Sequence, residues 1–499
     1  MHWNRALFLL GNLLLLSCEV PVEKYDNPLD KPPAPQLLMP EDGTVLIDSN
    51  KVILVWNTVP EAIEYKTEVS EDKGFSRIEF SLTNATDSII TSPLADGRHY
   101  WRVHAGNLEG RWGNWSNIGL FYLYVVTDVP FTRVYGGSQP DEARSVQQTS
   151  DGGYIIAGWT ESYSVDTTDV WLIKSNKYGS EEWNQTYGTS SIDRGHSVQQ
   201  TTDGGYAIAG VSYSYTTGSD AMWLCKTDAW GNEEWSRTFG GSMGESGYSV
   251  WQTTDGGYVI VGETWSYGAG SRDVWLIKTD ANGNEEWNKT FGDLNDDRGY
   301  SVQQTTDGGY IIAGSTQSYG AGGIDALLVK TDASGNEEWS RTFGGSDMDI
   351  GYSVRQTTEG GYIMTGYTAS YGAGQSDVWL INIDTGGHEV WSKTFGGPVE
   401  DFGYSIQQVA DGGYIITGCT RSYGAGGNDA LLLKTDASGN EEWSRTFGSL
   451  DSDIGYSVQQ TTDGGYIIAG YTGSYGAGQG DVLLIKTDAN GIALPGEAE

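Results

Sequence analysis

The tetrapeptide Asp151-Gly152-Gly153-Tyr154 recurs as DGGY or EGGY beginning at Asp203, Asp255, Asp307, Glu359, Asp411 and Asp463, always 52 residues apart. A period near 50 residues built from short apolar runs and glycine turns predicts one small antiparallel sheet per repeat, arranged around an axis as a β-propeller. One unit reads as four strands. Tyr300-Ser301-Val302-Gln303-Gln304 precedes the DGG turn and Tyr310-Ile311-Ile312-Ala313 follows it. After a TxSYGAGG loop come Asp325 to Lys330 and then Glu338 to Phe343. Each run has the length of an ordinary strand.

The seventh repeat halts after its third strand at Asp488-Ala489-Asn490-Gly491, whereas Phe131-Thr132-Arg133-Val134-Tyr135-Gly136-Gly137 ahead of the first repeat matches the missing fourth. One sheet should therefore be completed from both ends of the unit, closing a seven-bladed ring over 130–494 and removing two open sheet edges. This stretch resembles the DGGYIIAG-type propeller repeats of bacterial and archaeal exported proteins. The segment LIKTDASGNEEW is similar to the repeats of quinoprotein dehydrogenases and to the Asp-box of sialidases, in which an Asp side chain bonds nearby backbone N–H groups. The resemblance implies the fold and a structural turn, and no activity.

Residues 35–126 change pattern to short alternating runs such as Val52 to Trp56 and Tyr100 to Val103, the signature of a β-sandwich. Trp56, Leu94, Gly97 and Tyr100 make it resemble a fibronectin type III domain, and Trp112-Gly113-Asn114-Trp115-Ser116 is similar to the tryptophan-serine box of some such domains. The box implies Trp–Arg stacking, for which Arg102 and Arg111 are available. This domain reads as a spacer. The expected fold class is all-β throughout, a fibronectin type III-like sandwich followed by the closed propeller.

Residues 1–18 combine Arg5, an apolar run from Ala6 to Leu16, and Leu15-Leu16-Ser17-Cys18. The run is short for a transmembrane helix and reads as a signal peptide. Its end resembles the bacterial lipobox, which implies lipidation of Cys18. Residues 19–34, with Pro21, Pro28, Pro32 and Pro33, form an extended linker, and 495–499 a tail. The expected location is the cell envelope, on the outer membrane or cell surface, held by the lipid anchor only.

A formal net charge of −37 disfavours nucleic acid and anionic surfaces as partners. A monomer is expected. Cys225 and Cys419 fall at different points of the repeat and read as buried free thiols. His99, His104, His196 and His388 are scattered, so no metal or other cofactor is expected. His196 replaces the usual Tyr of its repeat and reads as a tolerated substitution. Gly240-Gly241-Ser242-Met243-Gly244 matches the GxSxG nucleophile pattern but lies in a loop rather than at a strand-to-helix elbow. No catalytic residues are assigned.

Antiparallel strands put the short DGG and TDASGN turns on one face and the longer TxSYGAGG and GGSxxDxG loops on the other, where a ligand site is expected. An acid recurs before each first strand (Asp141, Asp193, Glu245, Asp297, Asp349, Asp401, Asp453) and a Tyr in each long loop (Tyr163, Tyr215, Tyr267, Tyr319, Tyr371, Tyr423, Tyr475). The acids read as loop-bonding, with a calcium role as the alternative, and the tyrosines as inter-blade packing. Two columns vary freely. The position before the loop Thr or Ser reads Trp159, Val211, Glu263, Ser315, Tyr367, Cys419 and Tyr471, and the one after it Glu161, Tyr213, Trp265, Gln317, Ala369, Arg421 and Gly473.

Tyr213, Glu263 and Trp265 form the richest aromatic-plus-acid group, with Trp159, Glu161, Gln317, Tyr367 and Arg421 as further candidate ligand contacts. The reading is a non-catalytic platform for a protein or carbohydrate ligand. A glycan-active hydrolase or lyase using acids on that face, and a structural envelope component, are the alternatives.

Overall fold

The computed structural model describes residues 31–493 other than 42–43, 48–50, 93, 95–96, 125–129, 165–166 and 215–217. The expected signal segment with Cys18, most of the expected linker, Tyr215 and the tail 495–499 lie outside the described residues. All regular elements among the described residues are strands, and none is a helix long and apolar enough to cross a membrane. The chain divides into two compact units, Met1–Thr127 and Asp128–Glu499.

The first unit is a two-sheet sandwich. Leu37–Met39, Ile53–Trp56 and Ser88–Ile90 form one sheet, and Thr44–Ile47, Gly119–Tyr124, Gly97–Gly106, Glu64–Ser70 and Ile78–Asn84, in that spatial order, form the other. Trp56, Tyr65, Val69, Leu94, Trp101, Val103 and Phe121 fill the space between them. The tryptophan-rich segment does stack, but largely on a histidine. His104 lies 4.5 Å from the ring of Trp112 and 3.7 Å from that of Trp115. Arg102 covers Trp115 at 4.1 Å while bonding Glu68 at 2.7 Å, and Arg111 is ion-paired with Glu109 at 3.5 Å.

The second unit contains seven four-stranded antiparallel sheets in a propeller-like arrangement. Sheet 4 is representative: Asp297–Gln304, Tyr310–Thr316, Asp325–Thr331 and Glu337–Phe343. Its second and third strands are buried at every residue, because neighbouring sheets cover both of their faces. That explains why YIIAG and LLVK are continuous apolar runs rather than alternating ones. Each buried Ile or Leu contributes about 1.5–3 kcal/mol, so the stack is held by repetition of modest terms. In sheet 7, Asp453–Gln460, Tyr466–Thr472 and Asp481–Thr487 are joined by Phe131–Tyr135, which pairs antiparallel with Asp481–Thr487.

Motifs that look decorative in sequence turn out to fasten sheet to sheet. Ser301 Oγ accepts the Val354 N–H at 3.4 Å, Gln303 Oε1 that of Gln356 at 2.7 Å, and Gln304 Oε1 that of Thr254 at 2.9 Å. The same bonds join sheets 1 and 7: Val146 N–H to Ser457 Oγ at 3.2 Å, Gln148 N–H to Gln459 Oε1 at 2.6 Å, and Thr462 N–H to Gln148 Oε1 at 2.9 Å. Lys330, buried, ties its own carbonyl neighbourhood together by donating to Thr331 O at 2.8 Å, with Asp307 and Glu338 at 2.9 and 3.0 Å. In the turns, Asp307 Oδ1 accepts the Gly309 N–H, and Asp332 Oδ1 accepts those of Ser334 and Asn336.

The first strand is longer than the sequence suggests. It starts at the acid, not at the Tyr, and a bulge between Gly299 and Ser301 leaves Tyr300 out of the ladder. Opposite the bulge the backbones approach so closely that only glycine fits: a Cβ on Gly314 would lie 1.9 Å from the Arg298 carbonyl oxygen. This is the physical reason for the Gly in every YIIAG run.

Candidate functional site

The first strands of successive sheets pack on one another, including that of sheet 7 on that of sheet 1. The bulged residue of each is half-buried toward its neighbours. Those residues are Arg144, His196, Tyr248, Tyr300, Tyr352, Tyr404 and Tyr456, and they form a collar. Ring centroids run 5.2 Å from His196 to Tyr248, 5.5 Å to Tyr300, 5.1 Å to Tyr352, 5.2 Å to Tyr404 and 5.3 Å to Tyr456, where Arg144 lies 4.0 Å over the last ring. Burial pushes the phenols of Tyr248, Tyr352, Tyr404 and Tyr456 above their ordinary range, so they remain neutral hydroxyls.

The layer beside the collar is set by the ladder between first and second strands. It pairs Glu142 with Trp159, Arg194 with Val211, Ser246 with Glu263, Arg298 with Ser315, Ile350 with Tyr367, Phe402 with Cys419, and Ile454 with Tyr471. Sheets 1 to 4 make a charged sector and sheets 5 to 7 an apolar one. In the apolar sector Tyr367 meets Phe402 edge-on at 4.8 Å and lies 6.0 Å from Tyr352. In the charged sector Arg298 reaches Glu263 at 3.0 Å, and Arg272 reaches Asp296 at 3.3 Å while covering Trp265 at 4.3 Å. Burial raises the Glu263 carboxyl pKa against the pull of Arg298, and raises that of Glu142 against Arg144 and Arg194.

His196 donates its Nδ1–H to the Gly247 carbonyl oxygen, 2.9 Å away. Burial, reinforced by Arg144, holds its pKa down at about 4, so it is an uncharged imidazole at neutral pH. A protonated ring could only donate to that carbonyl, and the neutral tautomer with Nδ1–H does the same.

The sequence-derived candidates fall into two tiers. Trp159, Glu263 and Tyr367 belong to the inner layer just described. Glu161, Trp265, Gln317 and Arg421 follow the last residue of their second strand, and each donates its backbone N–H to the loop before the first strand of its own sheet, as Gln317 does to Asp296 at 2.9 Å. Trp265, Gln317 and Arg421 are exposed there. Arg421 is ion-paired with Glu400. Tyr213 pairs with Asp220 in the second and third strands of sheet 2. Glu263 is not the free acid of a Tyr213–Trp265 group: it is 8% exposed and committed to Arg298, a residue of the next repeat.

The collar and the arginines Arg144, Arg194, Arg272 and Arg298 were missed from sequence. The same column comparison applied to the residue after each recurrent acid would have exposed Glu142, Arg194, Ser246, Arg298, Ile350, Phe402 and Ile454 as equally variable.

The invariant residues of this face bond within the scaffold. Asp349 Oδ2 accepts the Gly345 N–H at 2.9 Å and the Ser370 hydroxyl at 2.6 Å, and Tyr371 donates to the Gly344 carbonyl of the preceding sheet's exit at 2.9 Å. Cys225 and Cys419 are buried and unbridged. Among the described residues no group of three His, Cys, Asp or Glu side chains could hold a metal ion. Chemically, then, the mouth offers aromatic faces, neutral hydroxyls and guanidinium groups: a surface for stacking and for charge-assisted hydrogen bonds.

No protein-family model matches the chain, and no curated protein matches it. Among solved structures it is similar to the WD40 domain of Neurospora crassa Pan2, at 9% identity over 71% of this chain and 92% of that one, with a TM-score of 0.45. It is also similar to Sqt1 from Chaetomium thermophilum (10% identity, 74% and 87%, TM-score 0.41). A third likeness is to the extracellular domain of BT4673 from B. thetaiotaomicron (12% identity, 79% and 45%, TM-score 0.39). These likenesses are too loose to carry a function, and the fold stands on the strand pairing itself.

Proposed function

We propose that this chain is an exported, lipid-anchored bacterial protein in which a closed seven-bladed β-propeller serves as a non-catalytic binding platform for a carbohydrate or protein ligand. A fibronectin type III-like sandwich acts as its stalk. Closure is supported by the Ser and Gln bonds that join sheets 1 and 7 as they join the others. Anchoring rests on the lipobox-like run ending at Cys18, and placement in the cell envelope follows from it.

The observation that carries the binding role is an asymmetry. Seven repeats share their scaffold residues yet differ where first and second strands meet the long loops, so that a symmetric frame presents one charged and one aromatic sector. A frame selected only for stability has no need of such a difference.

The test is a glycan and peptide binding screen on the full chain in detergent, with Trp159→Ala and Trp265→Ala alongside. Saturable binding weakened at least tenfold by either change supports the reading. Binding unaffected by both, or turnover of a bound glycan, contradicts it.

A further inference from the structure

Four arginines sit at this mouth in a chain whose formal net charge is −37. Three are neutralised where they stand: Arg144 by Glu142, and Arg272 and Arg298 by Glu263 and Asp296. Arg194 differs. Among the described residues no carboxylate lies within ion-pair distance of it, while its Nε, like those of Arg144, Arg272 and Arg298, is buried with no hydrogen bond. Its guanidinium instead lies 5.3 Å over the Trp159 ring. Glu142, the acid whose charge it feels, is already taken by Arg144. A half-buried guanidinium with no carboxylate partner is free to accept one from a ligand.

The collar is interrupted at the same place. Five consecutive sheets contribute Tyr, and the sequence of rings ends at His196 in sheet 2, two residues from Arg194, and at Arg144 in sheet 1. The scaffold gives no reason for replacing Tyr by His and Arg in just these two neighbours, since the bulge that presents them is the same as in the other sheets.

Resting on the binding role proposed above, we infer that this sector is an anion site. The Arg194 guanidinium takes a carboxylate, and the planar or ring-shaped body bearing that carboxylate lies against Trp159 and the tyrosine collar. Arg suits the task because its fork of N–H donors matches two carboxylate oxygens at once, while its plane stays parallel to an aromatic face. The ligand class is therefore a monocarboxylate on a flat or cyclic body, either an aromatic acid or a uronic acid sugar. A polyanion is disfavoured because the rest of the molecule is so acidic.

Calorimetric titration of the full chain in detergent with phenylacetate, glucuronate and their neutral amides tests this. One acid should bind at least tenfold more tightly than its own amide, and which acid does so identifies the body recognised. Arg194→Gln should remove that preference. Arg194→Lys, which keeps the charge but not the fork, should fall between, and Arg341→Gln on an outer strand should leave it intact. Melting curves of each variant report folding separately.

Equal binding of acid and amide, or a preference that survives Arg194→Gln, overturns the inference. Binding of neutral ligands at the mouth with no response to either acid overturns it too, while leaving the platform reading in place. Silence toward the acids and toward the whole glycan and peptide screen removes both.

Discussion

At its C-terminal end each first strand reads Ser-Val-Gln-Gln or a close variant, with Trp251 and Arg355 in place of the first Gln in sheets 3 and 5, and its Ser and Gln side chains bond to the neighbouring sheets. At its N-terminal end the same strand carries Glu142, Arg194, Ser246, Arg298, Ile350, Phe402 or Ile454. The Gln end answers to a backbone that is the same in every sheet, so a change there breaks a repeated bond. The other end meets loops and neighbouring side chains that differ from sheet to sheet, and there the chain tolerates Arg beside Trp in one place and Phe beside Tyr in another. One strand thus serves as frame at one end and as surface at the other, and stability and binding should separate along it.

The largest expected effect lies where the two regions touch. Gly366→Ala would put a Cβ 1.7 Å from the Ile350 carbonyl oxygen. Backbone cannot yield there without opening the ladder, so a loss of about 3 kcal/mol or more is expected in denaturant melts. A loss under about 1 kcal/mol would mean that the bulge is soft and that the frame extends less far than described.

Next comes the frame proper. Lys330→Met removes the donor to the buried Thr331 carbonyl while leaving Asp307 and Glu338 about half exposed to water. The cost should be about 2 kcal/mol, mostly that of the unpaired carbonyl. Equivalent loss from Lys226→Met, whose partners are Asp203 and Glu234, would show that the sheets share the device.

A smaller effect distinguishes the two faces by pH. On the loop-rich face Asp273 is pushed up to about 6 by burial and by the nearby Asp297 and Asp293. Its folded pKa exceeds its unfolded one, so the stability it contributes is complete below the unfolded value of 3.8 and is lost as pH rises through 6. On the turn face burial pushes Asp255 and Asp307 upward, but Thr and Lys partners outweigh it and hold both at about 2. Their contribution is present above 3.8 and is lost as pH falls through about 2. His196, whose pKa is held down at about 4, costs stability over the same range as pH falls, so the difference between Asp273→Asn and the parent is what isolates Asp273. The variant's gain over the parent, roughly 1 kcal/mol at pH 7, should shrink as pH falls below about 6 and vanish near 3.8, with the acid limb unchanged. A gain that stays constant between pH 7 and 4 would break this assignment.

The smallest stability effects belong to the mouth. Trp265→Ala and Gln317→Ala, both at exposed positions, should stay within about 0.5 kcal/mol of the parent in the same melts. Values as large as those of the frame changes would make the variable columns structural after all.

How much of this was legible in the sequence follows the same division. The strand order, the glycine turns and the Phe131–Tyr135 strand completing sheet 7 could be read because each is dictated locally and repeated, so every copy reinforces the next. The Tyr collar could not, although GYS is plain to see: a bulge changes which way Tyr300 points, and nothing in the residue types announces it. The ion pair of Glu263 was not legible because its partner Arg298 lies in another repeat, and pairing across repeats depends on the packing of neighbouring sheets. Arg194 escaped for the converse reason, since lacking a carboxylate neighbour is a property of three-dimensional surroundings alone.

Hydrogen–deuterium exchange of the full chain with and without a ligand recovered from the binding screen locates the binding surface on the frame. Protection is expected at the start of the first strands and the adjoining loops, around 142–144, 194–196 and 263–265, with the DGG turns unchanged. Protection confined to the DGG and TDASGN turns, or to the sandwich, would place the binding surface elsewhere and refute the platform proposed for the loop-rich face.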